Sequence, residues 1–557
     1  MVMLGEKDVV EDVDVAIVGG GPAGCYVAFR LASADLSGTR LAEWARARSD
    51  GKLKVRLYER SDRVGGRVHS IFRKDLMPDV AIELGAEGFY EPPAPNGSTP
   101  PPYPGHVHVA ALVELFKLAT TPFEPGSVLN PYYTRGKRFT ASAVMPPTNT
   151  DPSAVPYDVT WSEGLSLGNI LGYAFNRIYP GATTKSASEW RELRKTATFK
   201  GDPRGELLYK LRIGDLLPKV LSPEAFAFLW DTTPLRGRIT IANAADTMAE
   251  LICNDFTTLT PVCMPKEGYQ AIENGLAERF GLQNIAFRSC LQEIWPNDDG
   301  SLDLRFEGRP GVVRARSVVL ALPRTALEAL SGSPVFQGER AQQFRDDLPA
   351  VQPVPALVQW GIYPYPWWRA AGVTAGPSFT DLRIRETWPR QTQGEQPGAK
   401  DQNDLSSMLL MAFRDGEQIR QYLAAQSFRP SEASCDEPSC LLGDAVNAAF
   451  ATDRGDLMKL YGVSYIPPAE AYISKIWQAP PFGGAYHVWL PECESGAIGK
   501  RMLNPVRGVS LHVVGEAYSQ NQGWVEGALE TAEALLETHF ALQPPPWLNR
   551  TQATVGR

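Results

Sequence analysis

The chain has 557 residues, 43% of them hydrophobic and 21% charged, with a net charge of −8. This is an ordinary globular composition on a chain too long for one core, so two or three domains are expected. The acidic balance without a lysine/arginine block argues against a nucleic-acid partner, no run of about 18 apolar residues marks a membrane span, and Met1 to Lys7 lacks a signal-peptide core, so a cytoplasmic protein is expected.

In chain order, the first element is an apolar strand, Asp14 to Val18, leading into Gly19-Gly20-Gly21-Pro22-Ala23-Gly24 and an apolar helix from Pro22 to about Ala34. Gly19 turns the chain out of the strand. Gly21 lets the backbone approach a pyrophosphate, and Gly24 lets helix and strand pack closely. The helix start at Pro22 and Ala23 offers N–H groups and a positive dipole end to phosphates. The charged stretch from about Asp35 to Lys54 reads as a longer helix plus a loop. A second strand, Val55 to Tyr58, ends on Glu59, which can accept ribose hydroxyls. This acid comes later than the roughly 20 residues usual after such a fingerprint, and the charged stretch accounts for the excess. A second glycine signature, Glu59-Arg60 through Gly65-Gly66-Arg67, is independent of the first. Together they describe a dinucleotide site for FAD.

Two proline-rich stretches, Glu91 to Pro102 and Pro146 to Pro156, read as loops leaving this domain. From about Ser166 to Phe280 the pattern is mainly helical, as in Gly205 to Leu211 and in Pro223 to Trp230 behind the N-cap Ser222. Strands return at Ile285 to Phe287, Ser289 to Ile294, Leu302 to Phe306 and Ser317 to Leu322, with a hairpin turn at Asn297 to Gly300. The polar stretch from about Pro389 to Asp404 has the composition of a mobile insertion. Seven scattered cysteines suit a reducing compartment. Cys435 and Cys440 have no second pair with which to build a zinc site, so no metal is expected, and a loop disulfide between them stays open.

Glu59 to Val68 resembles the flavin amine oxidase superfamily, in its L-amino acid oxidase-like branch, where the first fingerprint is paired with Glu-x(5)-Gly-Gly-Arg. Three further segments are similar: Glu83 to Glu87, Ser317 to Pro323, and Gly515-Glu516-Ala517 with Gly523 to Ala528. The resemblance implies an α/β (α+β) multidomain fold. A Rossmann-like FAD-binding domain of the p-hydroxybenzoate hydroxylase-like (GR2) type, from 1–90, 256–330 and 476–557, would interleave with a mixed-sheet substrate-binding domain from 91–165 and 331–475. A helical subdomain would occupy 166–255. It also implies non-covalent FAD, because Ala485 stands where monoamine oxidases carry the cysteine joined to the flavin. Glu59 and Arg60 would lie at the adenosine ribose, Gly66 and Arg67 at the pyrophosphate, and Gly85, Ala86 and Glu87 along the isoalloxazine. Leu291 would contact adenine. Gly515 and Glu516 would face the ribityl region, and Gly523, Trp524, Val525 and Ala528 the flavin pyrimidine.

Trp524 and Tyr486 would be aromatic walls facing the flavin. His487 is the candidate for titration near a substrate, Glu87 either attracts a cationic group or pairs with an arginine, and Gln359 or Val358 takes the place of the lysine that relatives use to hold a water. The arginine that many amino acid oxidases carry just after the Gly-Ala pair is absent here. The activity implied is oxidation of an L-amino acid with a bulky, aromatic or basic side chain, by hydride transfer to flavin N5. The products would be a 2-oxo acid, ammonia and hydrogen peroxide, with molecular oxygen as acceptor. The alternatives are a mono- or polyamine oxidase and a decarboxylating amino-acid monooxygenase, and, further off, a desaturase or a catalytically dead flavoprotein. Dimers are common in the family, but no segment here marks an interface.

Overall fold

The computed structural model describes residues 8–548 except 94–103, 125, 145–153, 161, 164–166, 203, 257–261, 420–438 and 443–449. Cys435 falls outside them. Val9–Val18 is central to a seven-stranded sheet. It pairs in parallel with Val55–Tyr58 on one side and Val312–Leu320 on the other. Ile285–Ala286 extends the first edge. Beyond Val312–Leu320 lie parallel Leu511–Val513 and antiparallel Leu302–Phe306, which forms a hairpin with Leu291–Pro296. One sheet thus draws on three distant stretches of chain. Val13, Val15, Ala16 and Ile17 are fully buried, as a strand covered on both faces requires.

The helix Pro22–Ser33 covers one face and packs against Ala271–Phe280 and Val525–Thr538. Its N-cap is Gly21, with no capping side chain, so its first N–H groups stay available. The charged stretch after it is not a longer helix. The chain turns extended at Ala34, and a separate helix, Arg40–Arg46, starts behind the Thr39 cap.

An eight-stranded sheet builds the second layer, in the order Ser439–Leu442, Ala471–Trp477, Ala356–Tyr363, Ser407–Asp415, Glu386–Thr392, Ser378–Thr380, Pro131–Thr134, Lys137–Thr140. Tyr132 and Phe139 of this sheet share a core with the helices between Leu167 and Leu251. Two expectations fail here. Gly205 to Leu211 forms only a 3-10 turn at Leu208–Lys210, because Leu207 is held in a bridge to Thr198. Pro389 to Asp404 is no loose insertion: its first part completes the strand Glu386–Thr392, and Gly394 N–H bonds to the Asp404 carbonyl. Tyr486–Trp489, placed above in the last nucleotide-binding stretch, pairs with Val351–Val354, and the chain rejoins the seven-stranded sheet at Leu511. No helix among the described residues is long and apolar enough to cross a membrane.

Candidate functional site

A cavity of about 870 Å³ runs between the two sheets. At one end it is lined by Gly19, Gly21, Pro22, Ala23, Glu59, Arg60, Gly66 and Leu291. A side chain at Gly24 would put its Cβ 1.9 Å from the Gly19 carbonyl oxygen, which is why that position needs glycine, and Gly24 itself lies behind the lining. At Gly21 the nearest atom to such a Cβ would be 4.0 Å away, so the bare backbone opens onto the cavity at the helix start. Glu59 Oε2 accepts the Gly20 N–H at 2.6 Å, and its Oε1 accepts the N–H and hydroxyl of Ser61. Open helix N–H donors, glycine-only backbone and an oriented acceptor carboxylate are the set of groups a dinucleotide requires. FAD fits this end on that ground.

The middle of the cavity is lined by Arg67, Gly85, Ala86, Gly515, Glu516, Gly523, Val525 and Ala528. Glu516 organises it. Its carboxylate accepts from Arg67 at 2.9 Å, from the His487 and Gly523 backbone N–H groups at 2.8 Å each, and from His487 Nδ1 at 2.7 Å. Burial alone would raise its pKa, but Arg67 and His487 outweigh burial and hold it well below the usual carboxylate range. Arg67 also donates to the Ala485 carbonyl.

His487 does not face the main cavity. It follows Tyr486 on one strand, so the two side chains point to opposite faces. With Nδ1 on Glu516 and Nε2 accepting from the Arg324 N–H, it is a buried neutral imidazole, its pKa lowered first by burial. The expectation of a titrating group beside substrate is corrected to a positioning one. The same parity corrects Gln359: on Ala356–Tyr363, Ala356 and Val358 line the cavity and Gln359 does not.

The far end holds Trp524, Tyr486 and Glu87, together with residues that sequence reading missed. Trp524 packs on His106 and Tyr90, with ring centroids 4.8 and 5.2 Å away, and donates its Nε1–H to Glu250 at 3.1 Å. The other Glu250 oxygen pairs with Arg238. Arg238 lines the cavity, stands over the Tyr486 ring at 5.1 Å, and has a buried Nε with no hydrogen-bond partner among the described residues. Tyr486 donates its hydroxyl to Asp415, whose pKa burial pushes up to about 6. Glu87 lines the cavity and also pairs with Arg390 at 2.7 Å. No motif marks Arg238 or Glu250. Glu386, Trp388 and Arg390 share one strand face, but the run Glu386–Thr392 carries no apolar/polar alternation to mark it.

His108, Glu526 and Glu530 bring candidate ligand atoms within 4.8 Å of one another. Glu526, however, caps the helix Val107–Phe116 by accepting the His108 and Val109 N–H groups, which explains its place without a metal.

The chain is 26% identical over 570 residues to aplysianin-A of Aplysia kurodai, covering 95% of this chain and 90% of that protein. It is 24% identical over 559 residues to achacin of Lissachatina fulica, covering 95% and 93%. Among solved structures, it overlays putrescine oxidase bound to putrescine with a TM-score of 0.61 at 17% identity, over 94% of this chain and 98% of that one. Cyclohexylamine oxidase from Brevibacterium oxydans IH-35A gives 0.62 at 16% identity, over 94% and 99%. Residues 41–427 match the family described as flavin containing amine oxidoreductase, and the chain belongs to that family.

Proposed function

We propose that this protein is an FAD-dependent L-amino acid oxidase that yields a 2-oxo acid, ammonia and hydrogen peroxide. The observation that carries the reading is Arg238, a guanidinium lining the cavity beside Trp524 and Tyr486 and held there by Glu250. A buried arginine of this kind recognises a carboxylate. It supplies the anchor whose usual position, after Gly85 and Ala86, is taken by an acid here. The L configuration rests on the family resemblance.

Bound flavin supplies the acceptor for the hydride leaving the substrate Cα. Arg238 holds the carboxylate, while Trp524 and Tyr486 confine the neutral amine between them. Glu250 keeps indole and guanidinium in register, and Asp415 does the same for the tyrosine ring. Water outside the pair of walls then hydrolyses the imine. The reading of an amine oxidase is favoured by one observation, the acidic Glu87 where the arginine would stand.

Anaerobic absorbance scans separate the two. Bleaching of the flavin band at about 450 nm by L-amino acids is expected. Bleaching by amines alone would sink the amino acid reading. The flavin is expected to be non-covalent, since Ala485 beside Tyr486 offers no sulfur and Cys290, the cysteine lining the cavity among the described residues, lies next to Leu291 at the adenosine end. Acid precipitation should leave all the yellow colour in the supernatant; colour retained in the pellet would contradict this.

A further inference from the structure

Glu386, Trp388 and Arg390 alternate along Glu386–Thr392 and so share one face of the eight-stranded sheet. Glu386 and Trp388 line the cavity, with Phe123, Leu410 and Phe413 around them. Arg390 is already engaged. It pairs with Glu87 at 2.7 Å, and its guanidinium lies 4.3 Å from the Trp388 ring and 4.6 Å from Phe123. Glu87 and Arg390 cancel, which leaves Glu386 as the surplus acid at this end. Among the described residues its carboxylate has no hydrogen bond or ion pair; it is shielded from bulk solvent and open to the cavity.

We propose that Glu386 selects the substrate side chain by accepting a second cationic group, the distal ammonium or guanidinium of a basic amino acid, at the cavity wall it shares with Leu410 and Phe413. The amino acid part of this statement rests on the function proposed above. Three features agree. Two carboxylates, Glu87 and Glu386, share the single charge of Arg390, and the one without a direct ion pair is costly to keep ionised unless a cation arrives. The apolar lining beside it, Leu410 and Phe413, gives an aliphatic stem a surface to lie along on its way to the acid. Burial raises the Glu386 pKa to about 7 in spite of the nearby Arg390 charge, with Glu87 adding to the rise, and an approaching cation would favour the charged form. A neutral side chain of the same length would leave the acid without a partner, and sites built around a buried polar group reject such analogues strongly.

The test compares L-lysine with L-norleucine, and cadaverine with pentylamine, in anaerobic flavin bleaching by the holoenzyme, with rate and half-saturation measured separately. Wild type is expected to favour the cationic member of a pair by about 100-fold in the ratio of bleaching rate to half-saturation concentration, mainly through half-saturation. Glu386→Gln should bring the ratio near one with flavin content unchanged, and Glu386→Leu should favour norleucine. The gain by the leucine variant guards against a misfolded protein. A ratio that survives in Glu386→Gln, or a wild type with no preference in either pair, overturns the proposal. Bleaching confined to the amine pair, with the ratio still lost in Glu386→Gln, refutes the amino acid reading and leaves Glu386 as the selector.

Discussion

Replacing Arg238 by methionine is expected to lower kcat/KM for the best amino acid by two to three orders of magnitude and to leave the corresponding decarboxylated amine untouched. Truncating one side of a desolvated, hydrogen-bonded charge pair costs about 2–5 kcal/mol, an interval that contains the stated two to three orders of magnitude in rate. Arg238 also neutralises Glu250, and removing it would strand a buried carboxylate, a defect worth about 3–5 kcal/mol of stability. The informative variant is therefore Arg238→Met combined with Glu250→Gln, since the amide still offers an oxygen to the Trp524 Nε1–H. If the double variant keeps its flavin spectrum and amine turnover while losing amino acid turnover, Arg238 is the carboxylate anchor. Equal loss for both substrate classes would mean that it only supports the walls. Arg238→Lys should recover part of the activity, because a point charge replaces the planar fork.

The nucleotide end of the cavity was legible in the sequence because its demands fall on the backbone. Gly24 is set by close approach to the Gly19 carbonyl, Gly21 by the bare backbone it presents to the cavity, and Glu59 by the end of a strand, and such constraints leave local signatures. The substrate end is assembled from residues far apart in sequence. Arg238 comes from the helix Arg236–Ile241, Glu386 from the eight-stranded sheet and Tyr486 from a two-stranded ribbon, and nothing local to any of them announces the others. Parity decided two more cases. Val358 and Gln359, like Tyr486 and His487, are neighbours on a strand, and a slip of one residue exchanges the cavity face for the core face. Reading Pro389 onward as a loop hid the common face of Glu386, Trp388 and Arg390, although Pro389 sits within the strand they share. Polar composition was a poor guide there because the stretch is held by backbone bonds and by the Arg369–Glu395 ion pair.

Glu516→Gln is expected to produce protein with little bound flavin and with thermal stability lower by about 3–5 kcal/mol, the cost of breaking a buried ion pair. The carboxylate takes four donors, two of them backbone N–H groups that place Tyr486–Trp489 and the turn before Val525–Thr538 against the cavity. An amide has one acceptor oxygen, and its NH2 would confront either Arg67 and the His487 Nδ1–H together or the two backbone N–H groups. Both the middle of the cavity and the helix start beside it should loosen. The pH dependence separates this charge from mere packing. Because the folded-state pKa of Glu516 is depressed, its stabilisation is complete above the ordinary glutamate range, about 4.3, and is lost as pH falls below it. Wild type should therefore lose stability on acidification more steeply than Glu516→Gln. The difference between the two should shrink as pH falls through 4 and below, as followed by thermal melts of the flavin-free proteins. Parallel curves would show that the carboxylate acts by shape alone, and its assignment as the charged centre joining Arg67 to His487 would have to be abandoned.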